Sequence, residues 1–338
     1  MTSSDHSFSA APVLALDLGA SRIRAAVVLP DGSIAARAEG VTRSSDGPQA
    51  VVADMIGLLR AVRAAAPTEV VAGLRGIGVC APGPLDAASG RLIDTPNLGP
   101  AFRDIPITAP IAAALGLPAV LERDTVVALL GELGFGAARD ARDAVYITVS
   151  TGVGGAVLAA GRLLAGADGL AGEIGHLTVD LDGPMCGCGG RGHLEAITSG
   201  SGLARAAADL VATGLAPGLA AMATLAGRSL SARDLADAEA AGDPDAAALL
   251  GRARRAFAAA MVGVVDVFNP EVVVVGGSLA HGQGERLLGP ARDAVAREAF
   301  RVQATRVRLV PARLGDDVGL VGALGLVGRR AAGDWAGN

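Results

Sequence analysis

Two stretches of the chain repeat one local plan, and this repetition constrains the fold more than any other feature. In residues 13–29 an apolar strand ends at Asp17, a glycine-centred turn follows, and a second strand returns. In residues 144–159 a strand enters the glycine-rich turn 150–155, and a second strand again returns. Helical stretches follow each opening. Strands that alternate with helices predict an α/β protein, and the repetition predicts a duplicated architecture.

The turns of this plan carry groups that can bind a phosphate. Each places a hydroxyl beside glycine, Ser21 in the first turn and Thr151 in the second. Backbone N–H groups of such a turn can cradle a phosphate, while a carboxylate such as Asp17 holds the accompanying magnesium ion. A later strand runs into Gly276-Gly277-Ser278, whose glycine pair lets backbone approach a ligand closely. The alternative for Asp17 is an ordinary hairpin, because any hairpin can contain D-x-G.

Asp124 lies where a predicted strand, ending at Leu121, meets the start of an alanine- and leucine-rich helix. The N-terminus of a helix stabilises an ionised carboxylate through its dipole and its free N–H groups. Taken alone, Asp124 is therefore interpreted most simply as a helix N-cap.

The glycine-dense segment from Gly172 to Glu195 contains the residue types of a metal site. Four of its residues can hold one zinc ion in a closed tetrahedral shell: His176, Cys186, Cys188 and His193. Two carboxylates, Glu173 and Glu195, lie beside these ligands in the sequence. Four protein ligands leave no open position for a catalytic water, which argues against a zinc hydrolase. The alternative is a flexible surface loop with ordinary thiols, because C-x-C is a less usual spacing than C-x-x-C.

Composition narrows the class of protein. The 338 residues suffice for two domains, and because only 2% are aromatic, the core must be built from small aliphatic groups. The net charge of -5, with both signs interspersed, argues against a nucleic-acid partner. Two of the three cysteines lie in the proposed metal loop, which indicates a reducing compartment, and Cys80 is expected to be a buried apolar group. The sequence has no apolar run of about 18 residues, and its first residues do not have the pattern of a signal peptide. We therefore expect a soluble, cytoplasmic protein with no membrane partner.

The chain resembles the ROK family (repressor, open reading frame, kinase) of bacterial sugar kinases and sugar-responsive regulators. The resemblance extends from about Val13 to Val327 and is carried by motifs in the family's order: DLGASRIRAA, GIGVCAPGPLD, PNL, ERDTVVALLGE, TVSTGVGGAV, GEIGH, CGCGGRGHLE and VVVVGGSLA. It implies an α/β, two-domain actin-like ATPase (ribonuclease H-like) fold with duplicated βββαβα units and an interdomain cleft.

The resemblance also sets the expected domain limits. A disordered tail, residues 1–11, precedes a small N-terminal domain at 12–122, which the C-terminal helix 315–330 completes. The larger C-terminal domain spans 123–314 and contains the zinc loop 176–195.

The function implied is ATP-dependent phosphorylation of a hexose hydroxyl, as in a glucokinase, with Mg2+ in catalysis and a structural Zn2+. Asp124 would be the general base that takes the proton from the attacking hydroxyl. The residues expected at the nucleotide phosphates, the metal and the adenosine are Asp17, Gly19, Ser21, Thr151, Gly152, Gly276, Gly277 and Ser278. The residues expected at the sugar are Asn97, Arg123, Asp124, Glu173, His176 and Glu195. Zinc would be held by His176, Cys186, Cys188 and His193.

The chain departs from the family pattern next to the expected base. A motif that normally reads E-N-D-A-N is Glu122-Arg123-Asp124-Thr125-Val126 here. An asparagine amide both donates and accepts hydrogen bonds, whereas Arg123 only donates and Val126 does neither. Arg123 is expected either to turn away into a structural ion pair or to select a sugar with an acceptor-rich substituent, such as a carboxylate or acetamide. In addition, His193 replaces the family's usual third cysteine and Ser21 replaces a threonine.

Two further functions stay open at this point. One is an N-acetylhexosamine kinase, acting on N-acetylmannosamine or N-acetylglucosamine. The other is a non-catalytic, sugar-sensing ROK protein. Family regulators carry an N-terminal helix-turn-helix, but only about a dozen residues precede the first strand here, so no nucleic-acid partner is expected. The resemblance favours a homodimer or homotetramer.

Overall fold

A computed structural model describes residues 8–333, apart from the side chain of Pro96. The chain divides into two compact units. Of the described residues, the first unit holds 8–142, 157–171 and 312–333. The second holds Asp143–Ala156 and Gly172–Pro311.

The secondary structure alternates strands and helices, as expected of an α/β chain. The strands are β1 (Val13–Leu18), β2 (Arg22–Val28), β3 (Ile34–Val41), β4 (Ile77–Ala81), β5 (Leu85–Asp86), β6 (Arg91–Asp94), β7 (Arg103–Pro106), β8 (Ala119–Arg123), β9 (Ala144–Val149), β10 (Val153–Ala159), β11 (Arg162–Leu163), β12 (Val272–Gly276) and β13 (Arg308–Pro311). The helices are α1 (Pro48–Ala65), α2 (Thr68–Gly73), α3 (Thr108–Leu115), α4 (Asp124–Phe135), α5 (Leu194–Thr198), α6 (Gly200–Ala212), α7 (Pro217–Ala226), α8 (Ala232–Ala240), α9 (Pro244–Phe268), α10 (Ser278–Gln283), α11 (Glu285–Glu298), α12 (Arg301–Ala304), α13 (Val318–Val321) and α14 (Ala323–Ala331).

The first sheet has the strand order β3-β2-β1-β4-β8. Strands β1, β2 and β3 form an antiparallel meander, whereas β4 and β8 run parallel to β1. Parallel strands place their carboxyl ends at one edge of a sheet, and ligands of α/β proteins bind at such edges. The ends of β1, β4 and β8 therefore define where chemistry is expected in this unit.

The side chains of β1 alternate between two apolar layers, as the period of a strand requires. Leu14 and Leu16 pack in a core with α1, whose buried residues recur at helical spacing. Val13 and Ala15 pack on the other face with Leu320 and Leu324 of the terminal helices. Asp17 follows Val13 and Ala15 at a spacing of two residues, so its side chain points to the same face of the strand, which the terminal helices cover.

The second sheet has the strand order β11-β10-β9-β12-β13. This order matches that of the first sheet position by position, with the opening strand of each unit at the centre. As in the first sheet, the strands that follow on one side of the central strand are parallel: β9 with β12, and β12 with β13. The duplication predicted from the two strand-turn-strand openings is thus present in the topology of both sheets.

The division at residues 142 and 143 differs from the domain boundary predicted at 122 and 123. Helix α4 belongs to the first unit because it packs against α13 and α14. A buried carboxylate reinforces this packing: Glu132 accepts hydrogen bonds from the backbone N–H groups of Ala137, Arg313 and Leu314 at 2.6–3.0 Å. The end of α4 is thereby tied to the segment that leads into the terminal helices.

The remaining differences from the sequence-based elements are local. The terminal helix predicted as one piece, residues 315–330, begins at Val318 and is interrupted at Gly322, where a Cβ would be only 1.9 Å from the Val127 carbonyl oxygen. Residues 1–7 of the predicted tail lie outside the described residues. Phe8 makes an edge-to-face contact with Phe135, and the Ser9 N–H donates to the Leu324 carbonyl at 3.0 Å.

Within residues 8–333 no single helix is long and apolar enough to cross a bilayer. Only α6 and α7 together reach that length and composition, and they are bent by 109° relative to each other.

Candidate active site and metal centre

Asp17 and Asp124 lie at the ends of β1 and β8 in the first unit, on either side of Cys80 in the intervening strand β4. In the parallel register Asp17 of β1 lies opposite Cys80 of β4, and Cys80 lies opposite Glu122 of β8, two residues before Asp124. Burial raises the pKa of the Cys80 thiol well above its usual value, and the negative charges of Asp17 and Asp124 raise it further. Cys80 is thus a neutral, buried group, as predicted, and both carboxylates lie close enough to act on it.

Asp17 is itself nearly buried, with 8% of its surface exposed. Arg24 of β2 donates to its Oδ2 at 2.5 Å and also donates to the Asp316 carbonyl oxygen. A Cβ at Gly319 would be 2.9 Å from the same carboxylate oxygen, so α13 passes directly over Asp17. Sequence reasoning did not identify Arg24 or Gly319, because both reach Asp17 only through the fold.

Asp124 is the first residue of α4 and is exposed to solvent, whereas the following residues of the helix are buried. Its Oδ1 accepts a hydrogen bond from the Thr125 N–H at 2.7 Å. Val126, which replaces the second asparagine of the family motif, is 6% exposed and belongs to the apolar side of the helix. Among these positions, therefore, the carboxylate of Asp124 is the polar group presented to solvent.

Arg123 is buried rather than presented to solvent, with 4% of its surface exposed. Its Nη2 donates to the Ala171 carbonyl oxygen at 2.8 Å, and its Nε lies 4.0 Å from Glu122 Oε1. The aliphatic part of the side chain packs against Gly83 in the Pro-Gly-Pro turn. Burial raises the pKa of Glu122, while the Arg123 N–H and charge lower it.

The loop residues predicted in the first unit are exposed or at the surface. Gly19 and Ser21 lie in the turn after β1. Thr42 holds this turn with two hydrogen bonds: its hydroxyl donates to the Gly19 carbonyl oxygen at 2.7 Å, and its N–H donates to the Ser21 carbonyl oxygen at 3.0 Å. Asn97 lies in the 3-10 turn Pro96–Leu98 and is exposed.

In the second unit the glycine-rich turn after β9 and the glycine pair after β12 are adjacent. Gly277 has φ of +94°, and a Cβ there would be 2.4 Å from the Val149 carbonyl oxygen, so only glycine allows this approach. The hydroxyls of Ser150 and Ser278 lie 2.9 Å apart. Thr151 and Ser278 are exposed, so this edge of the second sheet presents hydroxyls and backbone groups to solvent.

The metal ligands predicted from the sequence converge in the second unit. One ligand atom from each of His176, Cys186, Cys188 and His193 lies within 4.8 Å of all the others. The Sγ of Cys188 is 3.2 Å from His193 Nδ1, and the Sγ of Cys186 is 3.8 Å from His176 Nδ1. Ligands at zinc bond lengths of about 2.0–2.3 Å in a tetrahedron are separated by roughly 3.3–3.8 Å. The donor set therefore suits one zinc ion, and these two pairs have close to the spacing that such an ion requires.

His176 has one ring nitrogen for the cluster and one for a carboxylate. Its Nδ1 faces Cys186, while its Nε2 lies 4.0 Å from Glu173 Oε2. A carboxylate on the second nitrogen of a metal-bound histidine orients the ring and raises its basicity. Burial raises the pKa of the Cys186 thiol, and the charges of Cys188 and Glu195 also raise it. A bound cation would counter these effects by favouring the thiolate.

The comparisons with known proteins agree with this geometry. The profile of the ROK family matches residues 13–330. This chain belongs to the ROK family. The chain is 32% identical to a glucokinase of Thermotoga maritima over 95% of its own length and 98% of the relative's. It is 35% identical to an N-acetylmannosamine kinase of Citrobacter koseri, covering 92% of its own length and 96% of the relative's.

Two solved structures give the same result for the fold of this ROK protein. A ROK hexokinase from Thermus thermophilus is 34% identical, with a TM-score of 0.76, over 96% of this chain and all of the other. A ROK glucokinase from Streptomyces griseus in complex with glucose and AMPPNP is 28% identical, with a TM-score of 0.75, over 93% of this chain and 98% of the other. The predicted α/β, actin-like ATPase fold is thus confirmed.

Proposed function

We propose that this ROK protein transfers the γ-phosphoryl group of ATP to a hydroxyl of a hexose, with glucose as the first substrate to test. The carrying observation is the pair of carboxylates at the ends of β1 and β8, one nearly buried and one exposed. Glucokinases and hexokinases among the relatives support the reaction class, and a relative bound to glucose and AMPPNP supports ATP as the donor.

Asp124 acts in this proposal as the general base. Its carboxylate accepts the proton of the sugar hydroxyl as the hydroxyl oxygen bonds to the γ-phosphorus. The bond from that phosphorus to the bridging oxygen breaks, and ADP leaves. The exposed position of Asp124 suits this role, because the base must reach a hydroxyl that arrives from solvent. In phosphoryl transfer the protein otherwise contributes mainly position and charge.

The phosphates and magnesium are assigned to the turns. Asp17, Gly19 and Ser21 act in the first unit, and Thr151 and Gly152 act in the second. The residues Gly276, Gly277 and Ser278 lie against the adenosine. Magnesium, when bound, supplies positive charge that balances the phosphate oxygens. The strand register, which places Asp17 and Asp124 on either side of Cys80, supports a cation here, because carboxylates at one sheet edge attract positive charge.

The metal loop is assigned to sugar binding and to structure. Zinc held by the four predicted ligands is structural, because no coordination position stays open for a substrate. Glu173 and Glu195 accept hydrogen bonds from sugar hydroxyls, and Asn97 is assigned to the surroundings of the sugar. His176 holds the metal through Nδ1, and its Nε2 stays available to Glu173 or the sugar. The hydrogen bond from Arg123 to Ala171 and the 4.0 Å approach of its Nε to Glu122 support the first alternative for Arg123, a side chain turned away into a structural ion pair.

A coupled assay tests the proposal. The protein is loaded with zinc and assayed with ATP, Mg2+ and a panel of glucose, mannose, N-acetylmannosamine and N-acetylglucosamine. Asp124→Asn should lower kcat by about 1,000-fold, while calorimetry still detects sugar binding. The matched control is Asp293→Asn, an exposed aspartate on α11, which should keep wild-type turnover.

Other results of this assay would assign a different function to the protein. Highest kcat/KM on an acetamido sugar would assign the N-acetylhexosamine reaction that the N-acetylmannosamine kinase relatives suggest. Sugar binding without turnover in the wild type would assign a non-catalytic sensor. The thiolate ligands of the proposed zinc site suit a reducing compartment, which supports a cytoplasmic location. A homodimer or homotetramer stays a prediction, checked by light scattering.

A further inference from the structure

The glycine-rich turn 150–153 is fastened to one neighbouring segment, residues 195–201. Four hydrogen bonds join them: Val153 N–H to Glu195 Oε2 at 2.9 Å, Gly200 N–H to the Ser150 carbonyl at 2.8 Å, and the Ser201 N–H and hydroxyl to the Thr151 carbonyl at 3.1 and 2.8 Å. Three backbone groups of the turn, the carbonyls of Ser150 and Thr151 and the N–H of Val153, are therefore held by one short stretch of chain. Both the stretch and the turn belong to the second unit.

The approach of Glu195 to the turn is close enough to require glycine. A Cβ at Gly152 would be 2.7 Å from Glu195 Oε2, so a larger residue would displace the carboxylate that holds Val153. A charge-assisted hydrogen bond from backbone N–H to carboxylate is stronger than a neutral one. Gly152, predicted as a phosphate-binding glycine, thus also makes room for Glu195.

The same segment begins at the metal cluster. His193 is the N-cap residue of α5, and Glu195 is the second residue of that helix. The second carboxylate oxygen, Oε1, lies 3.8 Å from Cys186 Sγ. Leu194, Thr198 and Ser199 are fully buried, which holds the segment in place. The position of His193 in the cluster therefore sets the start of the segment that holds the turn.

We propose that residues 193–201 couple the metal cluster to the phosphate-binding turn, and that Glu195 and Ser201 are positioning residues for this turn. The inference rests on the proposed role of the turn in binding the phosphates of ATP. It extends that role, because the metal loop then governs nucleotide binding as well as sugar binding. Loss of the metal should raise the KM for ATP and not only the KM for the sugar.

Hydrogen–deuterium exchange tests the coupling without relying on turnover. Peptides covering residues 183–193 and 148–155 are followed in zinc-loaded full-length protein and after chelator treatment. We expect exchange to become faster in both peptides on chelation, and readdition of zinc to restore both. Faster exchange in the metal loop with an unchanged turn would overturn the proposal. So would a chain that takes up no zinc, or one whose turn does not respond to zinc removal.

Variants separate positioning from sugar contact. Glu195→Ala should speed exchange in the turn of the zinc-loaded protein, whereas Glu195→Gln should keep it slow, because its amide oxygen still accepts from Val153. Unchanged exchange in Glu195→Ala would restrict Glu195 to the sugar and overturn its positioning role. Glu298→Gln, an exposed change on α11, is the control.

Ser201→Ala keeps the backbone of the segment and removes one hydrogen bond to Thr151. It should raise the KM for ATP by roughly 2- to 10-fold, with little change in the KM for the sugar. This variant carries the test if Glu195→Ala does not fold. Equal rises in both KM values, or none, would overturn the proposal. If Thr151→Ala leaves the KM for ATP unchanged, the proposed binding of phosphate by the turn is refuted. The hydrogen–deuterium exchange data then still test whether the metal cluster and the turn are coupled.

Discussion

Gly190 offers a sharp test of the metal site, because a single methyl group should remove one ligand. A Cβ at this position would be 2.2 Å from Cε1 and 2.4 Å from Nε2 of the His193 ring. The backbone cannot easily move aside, since the Gly190 carbonyl accepts a hydrogen bond from Cys186 N–H at 2.7 Å. In Gly190→Ala the imidazole must therefore give way.

The size of the effect follows from these distances. Carbon atoms reach favourable contact at about 3.5 Å, so the ring has to shift by about 1 Å. Metal sites tolerate changes in ligand distance of only about 0.2 Å, so His193 is lost as a ligand. Because disturbing groups behind the ligands already lowers metal affinity by about 10- to 100-fold, we expect a loss of at least about 100-fold here. That corresponds to about 2.7 kcal/mol of binding free energy.

Gly187→Ala is the matched control from the same loop. No atom lies within 4 Å of a Cβ at Gly187, so its added methyl group should leave the cluster undisturbed. Both changes replace glycine by alanine and alter the unfolded chain alike. Zinc content after purification and competition with a chromophoric chelator measure the difference. Equal zinc affinity in the two variants, or a wild type that binds no zinc, would refute the assignment of His193.

Three further changes probe other parts of the molecule. Arg123→Ala should raise the KM for a neutral hexose by about 10-fold through loss of its bond to Ala171; an unchanged KM with lost activity on an acetamido sugar alone would instead assign substrate selection. Arg24→Gln should lower the Mg2+ concentration for half-maximal rate by about 3- to 10-fold, because Asp17 loses a competing cation; a higher requirement would contradict this. Glu239→Gln should lower the free energy of unfolding at pH 7 by about 1–2 kcal/mol, because Arg254 holds the pKa of Glu239 below its usual 4.5. That stabilisation is complete above the unfolded pKa and is lost as pH falls through the folded one, so urea titrations should find the difference shrinking below about pH 4; a pH-independent difference would refute the linkage.

The sequence allowed the prediction of those site residues that follow a strand end or share one loop. Asp17 and Asp124 could be placed because each directly follows an apolar run, and the four metal ligands because 18 positions of one segment contain them all. Arg24, Thr42 and Ser201 carry no such local signal. Their contacts depend on register and on which backbone groups a neighbouring segment leaves to be bonded.

The elements missed by sequence reasoning have a similar cause. Strands β5, β6 and β7 are 2–4 residues long and form a small sheet that alternation over a few residues cannot indicate. Helix α11 has a proline at position 290, which weakens its helical pattern. The sequence left open which way Arg123 turns. Its sequence neighbours are the same whether the side chain is buried or binds the substrate, so they cannot distinguish the two cases.

The apolar layer shared by Val13, Ala15, Leu320 and Leu324 joins segments that lie on either side of the second unit in the sequence. During translation the first strands leave the ribosome early, but the residues that cover this face are made only after the second unit has been translated. At usual elongation rates the wait is about 15 to 60 s. Until then the apolar face formed by Val13 and Ala15 lacks the cover that the terminal helices supply.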